Sequence, residues 1–421
     1  MPTRHRREHS LPGGQPSYGA APHGIAMEGA KLLPIVGVPY ALAAMSLLLI
    51  SLPLPLISAE FGLPGPLAGF LGGSVFIGML LGAVTFGPLA DRIGRKLSLE
   101  AALATLGTST ALCSLAADWA QLVAFRVLAG VGIGSTIPLC FVYLAEFTEP
   151  STRGRTLVLL DSFWAYGWIA ATILGYLVIP AYGWRAYFAA SAAPVLALVP
   201  ALHAVLRETP MYSERAARGR RSVLDSLKAL WARGMRRVTA STWLMWFSIV
   251  FGYYSFFLWI VSYMRRMGYP LPQAYWYSMV TSFAQIPGYF AAAYLVDRWG
   301  RRPTLTSFSL ATAASLVMFS LSRSPTELVL WLSMVCFFCL GAWGVVMCYT
   351  AEPYPTPLRG TGYGFASGFG RLAGIVGPTA VGLMLSCLGV AATVQAVSLL
   401  FVILAADMLL LGVETKGREL E

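Results

Sequence analysis

Long apolar runs separated by short polar breaks make up most of the chain. Each run approaches the roughly 20 residues that an α-helix needs to cross the hydrocarbon core of a bilayer. Six runs begin near Leu33, Pro64, Leu97, Trp119, Thr156 and Trp184, and six more near Val238, Leu271, Thr304, Glu327, Thr361 and Cys387. The pattern therefore predicts an all-α membrane protein with twelve transmembrane spans, arranged as two six-helix bundles.

The polar breaks set the expected organisation of the chain. Residues 1–32 are rich in Pro, Gly, His and Arg and predict a disordered cytoplasmic tail. The bundles are expected over 33–206 and 238–412, with a linker over 207–237 and a cytoplasmic C-terminus over 413–421. Within the linker, Leu224, Leu227 and Leu230 recur at helical spacing, which predicts an amphipathic helix on the membrane surface.

Composition and charge placement support this class. The chain is 57% hydrophobic and 12% charged, whereas a soluble domain is about 25% charged. Of the 30 Lys and Arg residues, 24 fall on one side of the predicted spans and four on the other. Because basic residues are retained inside, we expect both termini in the cytoplasm of a bacterial-type inner membrane. This placement explains the net charge of +11 without a nucleic-acid partner.

The sequence offers little for cofactor or metal chemistry. The six cysteines lie in apolar runs, and the Cys336–Cys339 pair has no second pair or nearby histidine. The sequence has no GxxxxGK[ST] phosphate loop. We expect no metal, no cofactor and no enzymatic activity, and a monomer in the lipid bilayer.

Three separated motifs repeat at one offset of 206 residues. Asp91-Arg92 and Gly94-Arg95 match Asp297-Arg298 and Gly300-Arg301. The segment from Tyr143 to Glu146 matches Tyr349 to Glu352, Arg153-Gly154 matches Arg359-Gly360, and Glu208-Thr209 matches Glu414-Thr415. The shared register indicates duplication of a six-span unit, an arrangement that places a substrate near the midplane between the halves.

These motifs resemble the major facilitator superfamily over the chain from about Leu33 to its end. GPLADRIGRK resembles the signature loop between helices 2 and 3, and RVLAGVGIG resembles the helix 4 motif. The segments LLDSFWAYG, FGYYSFFLWIVSYM and AQIPGYFAAAYLVDRWGRRP are similar to the nicotinate-transporter and synaptic-vesicle-protein-like branch. The resemblance implies a transporter that works by alternating access, with glycines of span 4 packed closely against neighbouring helices.

The repeated loops carry a predicted gate of paired charges. Asp91 is expected to cap span 3 or to accept from Arg153, and Glu146 to pair with Arg95. If such pairs form only while the cytoplasmic side is closed, they favour the outward-open state. The gate residues are Gly87, Asp91, Arg92, Gly94, Arg95, Lys96, Glu146 and Arg153, with Asp297, Arg298, Gly300, Arg301, Glu352 and Arg359 in the second copy.

Charges inside the membrane are candidates for the binding of substrate or proton. Asp161 lies seven residues past Gly154, in a medium that disfavours its charge, so it is a candidate proton carrier. Arg126 has no acid on span 1 to pair with, which leaves Asp161, an anionic substrate or a structural role. Arg371 is expected to bind an anionic ligand or to pair with Asp407.

Aromatic side chains are dense on spans 5, 7 and 8. Trp164 and Tyr253 are candidates for stacking on a planar substrate, although most such rings serve packing. Gln285 is an amide deep within span 8 and is expected to face a cavity or a partner. The Pro287-Gly288 step is expected to break that helix.

The sequence therefore favours a secondary transporter of a small organic solute, with proton coupling and an aromatic or heterocyclic carboxylate such as nicotinate as cargo. A sugar, polyol or organic-cation porter is the first alternative, and facilitated diffusion without protons is another. A non-transporting sensor on the same fold is the alternative from a different class.

Overall fold

The chain folds into helices throughout the part that a computed structural model describes, residues 24–149, 153–208, 223–350 and 352–416. In chain order they are α1 (Gly24–Leu48), α2 (Leu54–Glu60), α3 (Gly65–Ile93), α4 (Arg95–Cys113), α5 (Trp119–Glu146), α6 (Arg153–Asp161), α7 (Phe163–Val205), α8 (Val223–Leu230), α9 (Arg236–Phe257), α10 (Ile260–Arg266), α11 (Leu271–Ser282), α12 (Gln285–Trp299), α13 (Arg301–Ser320), α14 (Pro325–Tyr349), α15 (Thr356–Cys387) and α16 (Gly389–Leu410). Helix α1 begins inside the predicted disordered tail, so residues 24–32 correct that prediction; residues 1–23 lie outside the described part.

Twelve spans can be traced along the described helices. Nine helical stretches, or ten with one bent pair, are long and apolar enough to cross a membrane. One of these stretches runs for 51 residues, and non-helical backbone at Gly183 divides it into spans 5 and 6. Helix α4, 19 residues long and more polar, supplies span 3. From span 2 onward, the observed starts lie close to the predicted ones.

Four spans are interrupted along their length. Span 1 consists of α1, a 3₁₀ turn and α2; span 5 joins α6 to the first part of α7; span 7 joins α9 to α10; and span 8 joins α11 to α12. The span 7 helices are bent by 51°. The break in span 8 includes Phe283, four residues before Pro287, because a proline ring clashes with the carbonyl four positions earlier. These breaks free backbone groups and side chains within the spans.

The backbone conformation follows the 206-residue repeat. In the described chain, the six glycines with positive φ form three pairs at this offset: Gly62 with Gly268, Gly94 with Gly300, and Gly183 with Gly389. The side chains that cap α5 and α14, Asp118 and Ser324, are separated by the same offset. Each half therefore turns and starts its helices at equivalent positions.

Small residues bring span 4 close to its neighbours within the first half. Gly130 lies against the carbonyl of Val75, and Gly134 against Met79, so that a Cβ at either glycine would overlap α3. Gly132 meets α4 in the same way. Close backbone approach at small residues is a common basis of helix packing in membranes. The predicted close packing of this glycine-rich helix is confirmed.

The two halves close against each other at one end of the bundle. We call the end that carries residues 87–96 and 295–303 the motif end, and the opposite end the far end. Towards the far end, Gly65 of α3 lies against Gly382 of α15, and Gly69 lies against the Pro378 carbonyl. Deeper in the bundle, Ser51 Oγ donates to the Phe257 carbonyl at 2.7 Å. No side chain separates the backbones at the two glycine contacts.

The linker between the halves forms a short helix, as predicted. Helix α8 ends at Leu230, which is buried, and residues 209–222 lie outside the described part. Trp231 follows the helix, and its ring packs edge-on against Trp243 with centroids 5.4 Å apart. The linker is thereby fixed to the motif end of span 7.

Candidate functional site

A cavity of about 770 Å³ lies between the two halves. Both halves line it, and its wall reaches Arg95 and Glu352, so it extends to the motif end while the far end is closed. Most of the wall is apolar or aromatic. Ligand pockets commonly have about 300–1,000 Å³ and a few placed polar groups on an apolar surface. The cavity therefore has the size and character of a small-molecule site.

Asp161 lies in this cavity wall at the break in span 5. It ends α6 and is 2% exposed. One carboxylate oxygen accepts a hydrogen bond from the Tyr40 hydroxyl at 2.7 Å, and the other accepts from the Tyr289 hydroxyl at 3.1 Å. Tyr40 belongs to span 1 and Tyr289 to span 8. The carboxylate is thus held by one donor from each half of the protein.

Arg371 lies on the opposite half of the cavity wall, on α15. Its Nη1 donates to the Met79 carbonyl of α3 at 3.0 Å. Among the described residues, no carboxylate lies within ion-pair distance of this guanidinium, so the predicted alternative of pairing with Asp407 is wrong. Tyr254 and Tyr363 are each close enough to interact electrostatically with both Arg371 and Asp161. Away from the motif end, the cavity wall therefore holds one cation, Arg371, and one anion, Asp161, that are not paired with each other.

Aromatic rings form much of the surface between these charges. Trp164 and Trp343, one from each half, stack with centroids 6.0 Å apart and an interplanar angle of 22°. Trp246 packs edge-on against Trp343 at 6.1 Å. Tyr253 lies behind this surface, where its hydroxyl accepts from Trp164 Nε1 at 3.0 Å. Of the two predicted stacking residues, Trp164 therefore lines the cavity, whereas Tyr253 supports it.

Arg126 is fully buried and holds the broken part of span 1. Its Nη1 and Nη2 donate to the carbonyls of Ser46 and Leu47, each at 2.8 Å. These carbonyls lie where α1 ends, and a helix end leaves such acceptors without partners of its own. The cavity wall does not include Arg126. In this conformation Arg126 binds backbone carbonyls and does not pair with Asp161, which agrees with the structural alternative.

Gln285 is also buried away from the cavity. It begins α12, and both polar atoms of its amide lack a hydrogen-bond partner within 3.5 Å among the described residues. The thiol of Cys336 on α14 is its polar neighbour. Of the two expected surroundings, a cavity or a partner, the cavity described here is therefore not the one that this amide faces.

At the motif end, the predicted charge pairs form inside each half. Arg95 Nε lies 3.7 Å from Glu146, and Arg301 donates to Glu352 with Nη2 at 2.9 Å. Thr415 Oγ1 also donates to Glu352. Both pairs are present while the cavity is open at this end, so they do not depend on its closure.

A different carboxylate caps the helix after each motif. The Glu208 carboxylate accepts from the Arg95 amide at 2.7 Å, and Glu414 accepts from the Arg301 amide at 3.0 Å. The sequence instead assigned capping of span 3 to Asp91, whose side chain lies outside the described part. Glycines 94 and 300 have φ of +95° and +102°, and their missing side chains leave room for these carboxylates.

The other predicted gate residues lie around these caps. Lys96 Nζ donates to the His203 carbonyl at 2.7 Å, Arg153 Nη2 donates to the Thr148 carbonyl at 3.1 Å, and Arg298 lies 4.8 Å from the Tyr294 ring centre. Asp297 is exposed, Gly87 lies within α3, and Arg92 and Arg359 both take part in contacts of their own. The contacts of Lys96, Arg153 and Arg298 thus stay within their own half.

Glu414 allows a test of the capping assignment. Burial raises the pKa of Glu414, but the amides of Lys416, Arg301, Arg302 and Thr415 outweigh it, so that the pKa lies below 4.5. A depressed pKa contributes stability above the unfolded value, which is lost as the pH falls through the folded value. We expect Glu414→Gln to lower stability near pH 7 by about 1 kcal/mol, the usual cost of losing a cap.

The measurement is thermal unfolding of purified protein from pH 3.5 to 7. Asp297→Asn, at an exposed site near the C-terminal end of α12, serves as the control with the same change of charge. The difference between Glu414→Gln and wild type should shrink at the acidic end. A difference that stays constant over this range contradicts the charged cap.

Several cavity residues could not be identified from the sequence, among them Tyr40, Trp343 and Tyr363. Each lies in an apolar span with many similar residues, and no local pattern separates a cavity face from a lipid face there. Tyr254 and Tyr289 lie on spans 7 and 8, and the density of aromatic residues on these spans was the feature of the sequence that indicated them. Their position beside Asp161 depends on packing between spans of different halves.

Comparison with known proteins defines the class to which this fold and site belong. The family profile of the Major Facilitator Superfamily matches residues 40–378 and 273–420. The chain belongs to this superfamily and is an integral, multi-pass membrane transporter. A solved structure titled as a partially occluded inward open conformation of the xylose transporter XylE from E. coli has a TM-score of 0.78 at 19% identity, over 94% of this chain and 100% of that one.

Two relatives are closer in sequence. A Bacillus subtilis (strain 168) protein that is named for niacin/nicotinamide transport is 35% identical over 397 residues, which is 93% of this chain and 98% of the relative. The niacin transporter NiaP of Acinetobacter baylyi (strain ATCC 33305 / BD413 / ADP1) is 33% identical over 417 residues, 93% of this chain and 95% of the relative. The resemblance predicted from the sequence motifs is confirmed.

Proposed function

We propose that this transporter carries an aromatic or heterocyclic monocarboxylate of the nicotinate type, together with a proton. The proposal depends mainly on the position of Arg371. This residue faces the cavity without an acidic partner among the described residues, and it lies beside aromatic side chains. Both similar proteins are named for niacin, which is such a carboxylate, and the name of one also includes its uncharged amide, nicotinamide.

The chemistry of Arg371 fits a carboxylate ligand. The flat guanidinium can bind both oxygens of a carboxylate at once, and such charged bonds are about twice as strong as neutral ones. One of its nitrogens is used by Met79. A pyridine ring attached to that carboxylate would then meet the rings of Trp343, Trp246 or Tyr363, where stacking and edge contacts are favourable.

Asp161 is the proposed proton carrier. It lies in the cavity wall, and Arg371 faces the same cavity without forming an ion pair with it. An anionic solute and a proton together bring no net charge, which suits a buried site. An organic cation would instead compete with the tyrosine donors for Asp161 and would leave Arg371 unpaired in the cavity.

The bias of basic residues supports assigning the motif end to the cytoplasm. On that assignment the observed cavity is open inward. Transport would proceed by rocking residues 33–206 against 238–412 around the cavity, with the far end opening as the motif end closes. The charge pairs and glutamate caps would keep the loop ends of each half rigid during this motion.

Binding selectivity tests the proposed solute class. We expect purified protein to bind radiolabelled nicotinate, with competition by unlabelled nicotinate and benzoate. Nicotinamide, which has the same ring without a charge, should compete at least about tenfold less well, since a lost charged pair is worth more than 1.4 kcal/mol. Xylose and choline should not compete. Equal competition by nicotinamide and nicotinate contradicts the role of Arg371.

A further inference from the structure

The hydrogen bonds around Asp161 connect the two halves of the protein. Tyr40 lies on span 1, in the same half as Asp161, whereas Tyr289 lies on span 8 of the other half. We call the three residues the tyrosine bridge. Each carboxylate oxygen of Asp161 accepts a hydrogen bond from one tyrosine hydroxyl, so Asp161 is the acceptor towards both halves.

Other polar contacts cross between the halves, but they differ in kind. Among the described residues, they include Ser51 with the Phe257 carbonyl, Trp164 with Tyr253, Thr172 with Ser282, and Arg371 with the Met79 carbonyl. Their acceptors are carbonyls and hydroxyls, which do not take up protons near neutral pH. Of the described residues that accept these hydrogen bonds between the halves, Asp161 is thus the one whose charge changes when it binds a proton near neutral pH.

We propose that Tyr289 is a positioning residue that makes the observed conformation depend on the ionisation of Asp161. With a charged acceptor, the Tyr289 hydroxyl stabilises the contact between the halves. When Asp161 binds a proton, the bond loses its charge assistance, and the new O–H must itself find an acceptor where two donors already point. The conformation open at the motif end is then favoured less, and opening of the far end is favoured more.

Asp161 is surrounded by titratable groups that do not account for a pH response of the conformation near neutral pH. Tyr40 and Tyr289 contact it, and Tyr254 and Tyr363 lie near it on spans 7 and 11. Cys348, Arg371 and, at the motif end, Arg95 and Glu352 line the same cavity. Tyrosine, cysteine and arginine ordinarily change charge above neutral pH, and Glu352 is held by Arg301.

The inference rests on the proposed function for its meaning in transport. In a proton-coupled cycle, the bridge would favour proton release while the cavity is open at the motif end, because release restores both charge-assisted bonds. A proton that enters from the far end would bind Asp161 in the conformation in which the tyrosine bridge no longer joins the halves.

Tyr289→Phe and Tyr40→Phe form a matched pair for the test. Each removes one hydroxyl from the same carboxylate, but only Tyr289→Phe breaks the bond between the halves. Spin labels at Ala117→Cys and Thr326→Cys, both exposed near the far end on different halves, report its opening as a longer label distance. The native Cys348 and Cys387, which are not buried, are replaced by serine in this background.

We expect the far-end-open population of the wild type to rise as the pH falls from 8 to 5. Tyr289→Phe should raise that population at least about tenfold at pH 8, the effect of losing a hydrogen bond to a charged group, and remove most of its pH response. Tyr40→Phe should keep the pH response. Asp161→Asn, which retains the shape of the side chain, should be insensitive to pH and provides a second test should Tyr289→Phe not fold.

Identical behaviour of Tyr289→Phe and Tyr40→Phe overturns the inference, as does a full pH response in Asp161→Asn. The measurement uses no solute. A negative result therefore contradicts the role of Tyr289 for any solute. Failure to bind nicotinate instead contradicts the proposed function and does not affect the conclusion about Tyr289.

Discussion

Replacing Arg371 with alanine should reduce binding and transport of nicotinate at least about 30-fold while the protein remains folded. Truncating one partner of a desolvated charged pair costs about 2–5 kcal/mol, and 1.4 kcal/mol corresponds to a factor of ten. Arg371→Lys should recover part of the loss, since lysine keeps the charge but cannot bind both carboxylate oxygens in the same way.

The check is uptake of labelled nicotinate into liposomes, with thermal unfolding measured in parallel. Arg266→Ala is the matched control, because Arg266 also donates to a backbone carbonyl, that of Leu385 at 2.9 Å, but lies at the far end away from the cavity. Transport by Arg371→Ala at the rate of the control would exclude Arg371 as the anion site.

The second large effect is expected at the contact between α3 and α15. Gly69 lies so close to the Pro378 carbonyl that an added Cβ would overlap backbone. Gly69→Leu should therefore prevent far-end closure, hold the protein open at that end and reduce transport at least about tenfold, because overpacking against rigid backbone costs about 1–3 kcal/mol or more.

Gly72→Ala, a smaller substitution on the same helix, is the control. A Cβ at Gly72 would meet only the Leu258 side chain, at an ordinary 3.8 Å. The label distance at the far end should lengthen in Gly69→Leu and stay at the wild-type value in Gly72→Ala. Normal transport by Gly69→Leu would contradict far-end closure as a step of the cycle.

The fold was largely predictable because two strong signals agreed. Apolar runs of membrane length predicted the spans. The 206-residue repeat made Arg95 equivalent to Arg301, and Glu146 equivalent to Glu352, before any contact was known. The helix breaks were less accessible, since they depend on which backbone groups find partners in neighbouring spans. Pro287 was the exception, because a proline acts on its own helix.

The site was only partly predictable. The depths of Asp161 and Arg371 follow from residue counts along one helix, and both line the cavity. The partners of Arg126 could not be found in this way. The sequence shows that span 1 lacks an acid, but not that α1 ends at Leu48 and leaves carbonyls for the guanidinium. Likewise, Tyr40 and Tyr289 meet Asp161 only after three spans have packed together.

Accumulation of labelled nicotinate in liposomes that contain the purified protein tests the central claim most directly. With acid outside and a neutral interior, we predict uptake above that of protein-free liposomes loaded with the same gradient, loss of this excess when the gradient is collapsed, and its absence in Arg371→Ala. Uptake equal to that of protein-free liposomes under both conditions would contradict the account.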